Sequence, residues 1–378
     1  MTMKVGLLLS GGKDSLYAGF LASADHELAC AITIRSENEE SYMFHTPNIE
    51  LTKLQAKAMN IPHIIITTQG EKEQELEQLE EAIEKAITEY NIKGIVTGAV
   101  ASQYQASRVQ RICHYKSIWC FNPLWQIDQM QLLYELEEHN FKVMIAGVFA
   151  YPFTQDMLGK YIDSAMIGQL HNYLQTYKIN PAGEGGEIET LVTDCPLFYK
   201  KIDVKRTKTT YKNYAGTCTV SSAELIFKQA RAQKPKNTYS EQSTSTSHDV
   251  LIVSTVRQDQ RLLECEFVRP LVDICKQNGR KANVKHISKL KQGERARHVI
   301  ISGTAIKDNE FLKHKDKINV FDVNIPRLGI CAGAHLLGPQ QEHLDQITEI
   351  GQIIPECQEE HWLCDHVKGT SAYFLHQA

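Results

Sequence analysis

No run of apolar residues in this sequence approaches the ~18 needed for a membrane-spanning helix, so no membrane span is expected. Paired cysteines are missing too. The ten cysteines are scattered and none stands in a CxxC spacing, which argues against a disulfide framework and against a zinc knuckle. The first residues, Met1-Thr2-Met3-Lys4, lead into a short apolar run that stops at a glycine loop. A signal peptide would need a longer apolar stretch and a small-residue cleavage site. An excess of positive charge is also absent: 41 Lys and Arg stand against 45 Asp and Glu, a net charge of -4. No global basic field invites nucleic acid. The expected setting is cytoplasmic, with reduced thiols and neither membrane nor nucleic-acid partner. What remains is ordinary for a globular protein, and 378 residues are too many for one core, so two or three domains are expected.

Short apolar runs alternate with helical patterns in the first part of the chain. Val5 to Leu9 reads as a buried strand, Asp14 to Ala24 as a helix, and Leu28 to Ile34 and Ile61 to Thr67 as further strands. Between Glu71 and Tyr90, the residues Leu76, Leu79, Ile83 and Ile87 recur at helical spacing among glutamates. Gly94 to Val100 reads as a fourth strand. Such alternation predicts an α/β fold with a parallel sheet, and ligands in such sheets bind at the carboxyl ends of strands. Ser10 and Gly98 stand at two such ends. Mixed α/β pattern continues to about Val220. Residues 231–249 are polar and serine-rich and read as a linker. Val250-Leu251-Ile252-Val253 then opens a new strand. The expected domains are 1–128, 129–230 and 250–378.

Ser10-Gly11-Gly12-Lys13-Asp14-Ser15 follows the first strand and opens the first helix. Glycines let backbone N–H groups close around phosphate oxygens, and the helix start adds unpaired donors and a positive dipole end. Ser10 and Ser15 offer hydroxyls, Lys13 a point charge, and Asp14 a carboxylate that can position Mg2+. The loop is neither a Walker A sequence nor a dinucleotide fingerprint.

The hexapeptide resembles the signature of the N-type ATP pyrophosphatases, whose members cleave ATP between the α- and β-phosphates. The resemblance implies a Rossmann-like (HUP-type) domain, with ATP held by Ser10 to Ser15, Gly98 and Arg108, and with Lys13 and Asp14 in the chemistry. Two further segments resemble the diphthine–ammonia ligase family. One runs from Gly98 through Tyr104, Gln105 and Arg108 to Cys113, followed by Asn122-Pro123-Leu124-Trp125-Gln126. The other is Gly183-Glu184-Gly185-Gly186-Glu187-Ile188-Glu189-Thr190-Leu191, followed by Cys195-Pro196-Leu197-Phe198. Ser41-Tyr42-Met43-Phe44-His45 fits the same family. The resemblance covers roughly residues 1–205 and implies an acyl-adenylate mechanism with Mg-ATP, elongation factor 2 as macromolecular substrate, and ammonia. On it, a smaller α/β substrate domain is expected. Tyr42, His45, Tyr104, Gln105, Glu184, Gly185, Gly186, Glu187 and Glu189 are its expected substrate-binding residues. Carboxylates crowded around a glycine pair suit a cationic ligand such as a quaternary ammonium. Arg108 or Arg111 could neutralise ATP or adenylate charge. Other readings stay open: amidation of a different carboxylate, tRNA modification, or a non-catalytic nucleotide-binding module.

Leu328-Gly329-Ile330-Cys331-Ala332-Gly333 resembles the nucleophile elbow of class I glutamine amidotransferases, with Ser302-Gly303 in the oxyanion-hole region. On that resemblance Cys331 would release ammonia from glutamine, its pKa lowered at a helix N-terminus. The His-Pro-Glu setting of that family is missing: His361, His366 and His376 stand in other contexts. An incomplete, truncated amidotransferase-like α/β domain is therefore expected, and His335 reads as structural.

Overall fold

The computed structural model describes residues 2–36, 48–69, 72–228, 249–322, 325–337, 348–353 and 372–377. The chain forms two compact units, residues 1–101 with 121–236, and residues 102–120 with 237–378. Among the described residues, no helix is long and apolar enough to cross a membrane.

In the first unit a parallel sheet takes up β1 (Lys4–Leu8), β2 (Glu27–Ser36), β3 (His63–Thr68), β4 (Gly94–Val96) and β5 (Trp119–Phe121), in the order β3-β2-β1-β4-β5. Thr97 donates its N–H to the Phe121 carbonyl at that edge, at 3.0 Å. Helices α1 (Lys13–Ala22), α2 (Thr52–Met59) and α3 (Lys72–Tyr90) connect the strands. Val5 and Leu7 of β1 are wholly buried, as are Leu16 and Ala18 of α1, because this central strand and its helix are covered on all sides. From β1 the chain turns towards β2 on one side, while β4 lies on the other. The strand order thus reverses beside β1, and ligand crevices form at such switch points.

The fourth strand is shorter than its apolar run suggests. It ends at Val96, because the Thr97 hydroxyl donates to Asn122 Oδ1 at 2.6 Å and accepts the Ala99 N–H at 3.1 Å. These bonds divert the chain into a buried turn. An apolar run cannot by itself separate a buried strand from such a turn.

Helix α4 (Gln103–Tyr115) precedes β5, and α5 (Gln129–Glu138) follows it. Beyond residue 128 the first unit becomes antiparallel. Strands β6 (Lys142–Val148), β7 (Ile188–Asp194), β8 (Lys200–Lys212) and β9 (Ala215–Phe227) lie in the order β7-β6-β9-β8, with α6 (Ser164–Tyr177) between β6 and β7. Asp128 caps α5 through the Gln131 N–H, and Asp163 caps α6 through the Met166 N–H, both at 2.9 Å. Met144, Ala146, Leu191 and Cys218 form the core of this sheet. Parallel pairing thus gives way to antiparallel between β5 and β6.

The second unit carries β10 (Val250–Ser254), β11 (Ala282–His286), β12 (His298–Ile301) and β13 (Arg327–Gly329), all parallel, in the order β11-β10-β12-β13. Helices α7 (Arg261–Phe267), α8 (Arg269–Gln277) and α9 (Ala332–Leu337) accompany them. Leu251, Val253, Val299 and Ile301 pack with Ile287, Ile318 and Phe321. Helix α4 belongs to this unit, and its Gln110 donates to Glu266 Oε1 at 3.1 Å. Strands β14 (Thr348–Ile353) and β15 (Ala372–Gln377) pair antiparallel.

Gly98 joins the end of β4 to the start of α1. A Cβ there would lie 2.5 Å from the Ser15 nitrogen and 2.7 Å from the Asp14 carbonyl carbon. Both obstacles are backbone, so no side chain can swing aside. Gly98→Ala is expected to destabilise the first unit by about 2 kcal/mol, the usual scale of overpacking. A urea midpoint equal to that of the parent protein would contradict the close approach.

Candidate active site

The chain leaves β1 through Leu9, whose N–H bonds to the Ile32 carbonyl at 2.8 Å, and turns at Gly11 with φ +89°. That left-handed conformation favours glycine. Gly12 stands at the N-cap of α1 and supplies no side-chain cap, so the first helical amides need other partners. Lys13 N–H donates to the Thr190 hydroxyl of β7 at 3.1 Å. The Gly11 carbonyl accepts from Val192 N–H at 3.0 Å and from the Gln55 side-chain amide at 2.9 Å. Gln55 also donates to the Val192 carbonyl at 2.8 Å and is completely buried. The loop is therefore clamped between α2 and β7.

Inside the loop, Ser15 Oγ donates to the Gly12 carbonyl at 3.1 Å and accepts the Ser10 N–H at 3.3 Å. This hydroxyl closes the loop, while Ser10 is exposed at its mouth. Lys13 is only 3% exposed, and its Nζ meets Asp14 Oδ2 at 2.9 Å. Asp14 Oδ1 is buried with no hydrogen-bond partner. An orphaned carboxylate oxygen in a phosphate-binding type of loop is a place for a cation. Gly98 does not open space for a ligand by itself. Its missing side chain is replaced by the Asp14–Ser15 backbone.

The acidic segment before β7 divides into three roles. Glu187 staples the segment: its Oε1 accepts from the Asn180 backbone N–H at 3.0 Å and side-chain amide at 2.8 Å, and its Oε2 accepts from Gly185 N–H at 2.8 Å. Gly183 and Gly186 hold φ values of +83° and +82°, and a Cβ on Gly185 would strike Asn180 and the Glu187 carboxylate at 2.7 Å. The glycines thus shape the segment around Glu187. Glu184 is different. Burial pushes its carboxyl up to about 7, aided by the nearby Asp14 charge and opposed by Lys13 and by a hydrogen bond from the Ala101 backbone. Glu184 therefore lies within electrostatic reach of the phosphate-type loop. Glu189, opposite Gly147 in the sheet, is pushed up to about 7 by burial, and its Oε2 has no hydrogen-bond partner.

Tyr42 and His45 lie outside the described residues. Tyr104, Gln105 and Arg108 share α4, in the second unit. Arg108 lays its guanidinium 3.3 Å from the Tyr104 ring centroid and leaves its Nε buried without a partner. The Gln105 N–H donates to the capping hydroxyl of Ser102. Two residues of the site escaped sequence reasoning. Thr190 sat inside the acidic motif, where its hydroxyl gave no separate signal. Gln55 carried no signal at all, since its complete burial exists only in the fold.

In the second unit, β13 passes through Ile330 into a sharp turn at Cys331 and then α9. Ile330 N–H bonds to the Ile301 carbonyl at 3.0 Å, and Cys331 holds φ +52°. A left-handed non-glycine residue between strand and helix is a strained conformation. Small neighbours permit it: a Cβ on Gly333 would lie 2.3 Å from the Ile301 carbonyl oxygen. The Cys331 thiol departs from expectation. Burial pushes it up, and hydrogen bonds from Ala332 and Thr304 oppose this only in part. Desolvation of this half-buried thiol outweighs what the start of a helix of six residues returns. The Ser302 hydroxyl, expected near an oxyanion hole, accepts the Thr255 N–H at 3.1 Å. His361 and His366, and the side chains of His335 and His376, lie outside the described residues.

Residues 3–118 match the family model for the diphthamide synthase N-terminal domain, and residues 128–226 that for the diphthamide synthase C-terminal domain. The diphthine–ammonia ligase of Homo sapiens is 34% identical over 226 residues, covering 53% of this chain and 83% of that protein. That of Danio rerio is 32% identical, covering 55% of this chain and 88% of that protein. That of Schizosaccharomyces pombe is 30% identical, covering 53% of this chain and 36% of a longer protein. The clamped loop and the acidic segment both fall inside the matched residues, and the chain belongs to the diphthine–ammonia ligase family.

Proposed function

We propose that the first unit amidates the diphthine carboxylate of elongation factor 2 in the cytoplasm, using ATP and ammonia and forming AMP and pyrophosphate. The observation that carries this reading is the meeting of two motifs 177 residues apart, where Thr190 and Val192 of the acidic segment's strand hold the backbone of the phosphate-type loop. On this reading residues 1–128 bind ATP and residues 129–230 present the acceptor. A carboxylate oxygen of diphthine attacks the α-phosphorus of ATP, the bond to the bridging oxygen breaks, and pyrophosphate leaves. Ammonia then attacks the acyl carbon, AMP leaves with the bonding electrons, and one proton of the nitrogen goes to a nearby base. The protein contributes positioning and charge neutralisation.

Lys13 and the amides around Gly11 and Gly12 suit the β- and γ-phosphates. The orphaned Asp14 Oδ1 suits Mg2+, which commonly binds one or two carboxylates together with substrate phosphates. Among the described residues, no group of three or more His, Cys, Asp and Glu could hold a metal, so phosphate oxygens would supply most ligands. The ion supplies neutralisation of triphosphate charge. Glu184, lifted to about 7, suits the base that accepts the ammonia proton, since bases work best with a pKa near the working pH. With Glu189 it also suits the trimethylammonium of diphthine.

For the second unit we infer an amidotransferase-like fold from its parallel sheet and the Cys331 elbow. We take ammonia as the nitrogen that the ligase consumes, and its release from glutamine at Cys331 is decided by the measurement below.

Three measurements test these readings. Lys13→Ala and Asp14→Ala are each expected to lower AMP formation at least ~100-fold, the scale for losing one electrostatic contact to the transition state. Turnover retained in both would remove the loop from the chemistry. With diphthine-bearing elongation factor 2, ammonium is expected to support amidation and glutamine not, and Cys331→Ala to match the parent. Amidation from glutamine that Cys331→Ala abolishes would reverse the assignment of the second unit. Glu189 binds its proton more tightly folded than unfolded, so its stability contribution is whole below about 4.5 and lost as pH rises through about 7. Glu189→Gln is expected to gain on the order of 2–3 kcal/mol relative to the parent between pH 5 and pH 8. Equal urea midpoint differences at both pH values would contradict the burial argument.

A further inference from the structure

The β8–β9 hairpin ends in a two-residue turn, Asn213-Tyr214, with φ values of +52° and +63° between the paired Lys212 and Ala215. Such a turn favours glycine at its second position. A bulky ring in the left-handed region there is strained, and such strain clusters at functional sites. The ring does not bury itself: Tyr214 is 47% exposed, Tyr151 56% and Tyr177 42%. Tyr151 meets Tyr214 with centroids 5.1 Å apart and Tyr177 at 5.2 Å, at interplanar angles of 89° and 84°. The cluster is continuous with the candidate active site. Exposed Phe149, two residues before Tyr151, donates its N–H to the carbonyl of Glu187.

Beside this aromatic patch runs a basic stripe on the edge strand β8. Near the base of the hairpin, Lys205 pairs with Asp203 and Glu224. Toward the tip the cross-strand partners of Arg206, Lys208 and Lys212 are Ser222, Thr219 and Ala215, so no carboxylate stands opposite them. All three basic residues are exposed, and exposed Lys178 follows Tyr177. Exposed tyrosines flanked by unpaired positive charge anchor macromolecular partners that carry negative charge. The edge-to-face packing leaves the Tyr151 ring engaged by two neighbours, whereas a nucleobase needs an open ring face on which to stack. A protein surface fits better.

We propose that the hairpin tip, with Tyr151, Tyr177, Tyr214, Lys208 and Lys212, docks an acidic surface of the protein that carries the acceptor carboxylate. This rests on the amidation reading above, because that substrate must approach the acidic segment as part of a folded protein. The docking step adds affinity for the whole substrate and none for the reacting residue alone.

The test uses the full chain, diphthine-bearing elongation factor 2, and a short peptide bearing diphthine. The variants are Lys208→Glu with Lys212→Glu, and Tyr214→Gly, which relieves the positive φ and should melt no lower than the parent. Each is expected to raise KM for the protein about tenfold or more while kcat and the peptide kinetics hold, with the loss for the lysine variant shrinking at high salt. Direct binding of the protein, measured by interferometry, should weaken in parallel. Unchanged KM and unchanged binding in both variants would overturn the docking proposal and leave the amidation reading intact. Single-stranded RNA that displaces elongation factor 2 from the parent and fails to bind the variants would also overturn it, in favour of a nucleic-acid face. If the parent binds elongation factor 2 but amidates neither substrate, the amidation reading fails, and the binding comparison alone decides the docking surface.

Discussion

The carbonyl of Gly11 is the atom on which the site depends. It accepts hydrogen bonds from the Val192 backbone and from the buried Gln55 amide, and so ties a parallel sheet to an antiparallel one. A buried carbonyl left unpaired costs roughly 1–3 kcal/mol, so each partner is held in place as firmly as the loop is. Thr190 takes the Lys13 N–H, Lys13 Nζ meets one oxygen of Asp14, and Asp14 Oδ1 is left without a hydrogen-bond partner. These bonds fix the shape of the loop from both sides.

The same clamp explains how the carboxylates come to differ. Glu187 spends both oxygens on its own segment, while Glu184 and Glu189 are buried near neutral titration. Carboxyls of one short motif thus stand in different surroundings, one held by hydrogen bonds and two raised by desolvation.

Much of this was legible in the sequence because it was local. The glycine loop between strand and helix, the first strand and helix, and the periodic α3 all follow from patterns within a few residues. What stayed hidden was long-range. Thr190 meets Lys13 across the sheet boundary, and Gln55 enters the core from a helix with no motif. The antiparallel sheet beyond residue 128 read only as mixed α/β, since pairing direction leaves no mark in apolar alternation. Gly98 was expected among the residues that hold ATP, and the space beside it is taken by the loop's own backbone. At Cys331 the sequence reveals the place of the thiol at a helix start and conceals the desolvation that pushes it up.

The bond between Val192 and Gly11 also sets an order of events during synthesis. The phosphate-type loop precedes the strand that clamps it by 177 residues, counted from Lys13 to Thr190, so its clamp arrives only with β7. Contacts so far apart in the chain form late, after the loop-closing entropy between them has been paid. A growing chain therefore carries the loop well before Val192 exists to hold the Gly11 carbonyl, and the loop takes its clamped shape only as the antiparallel sheet forms.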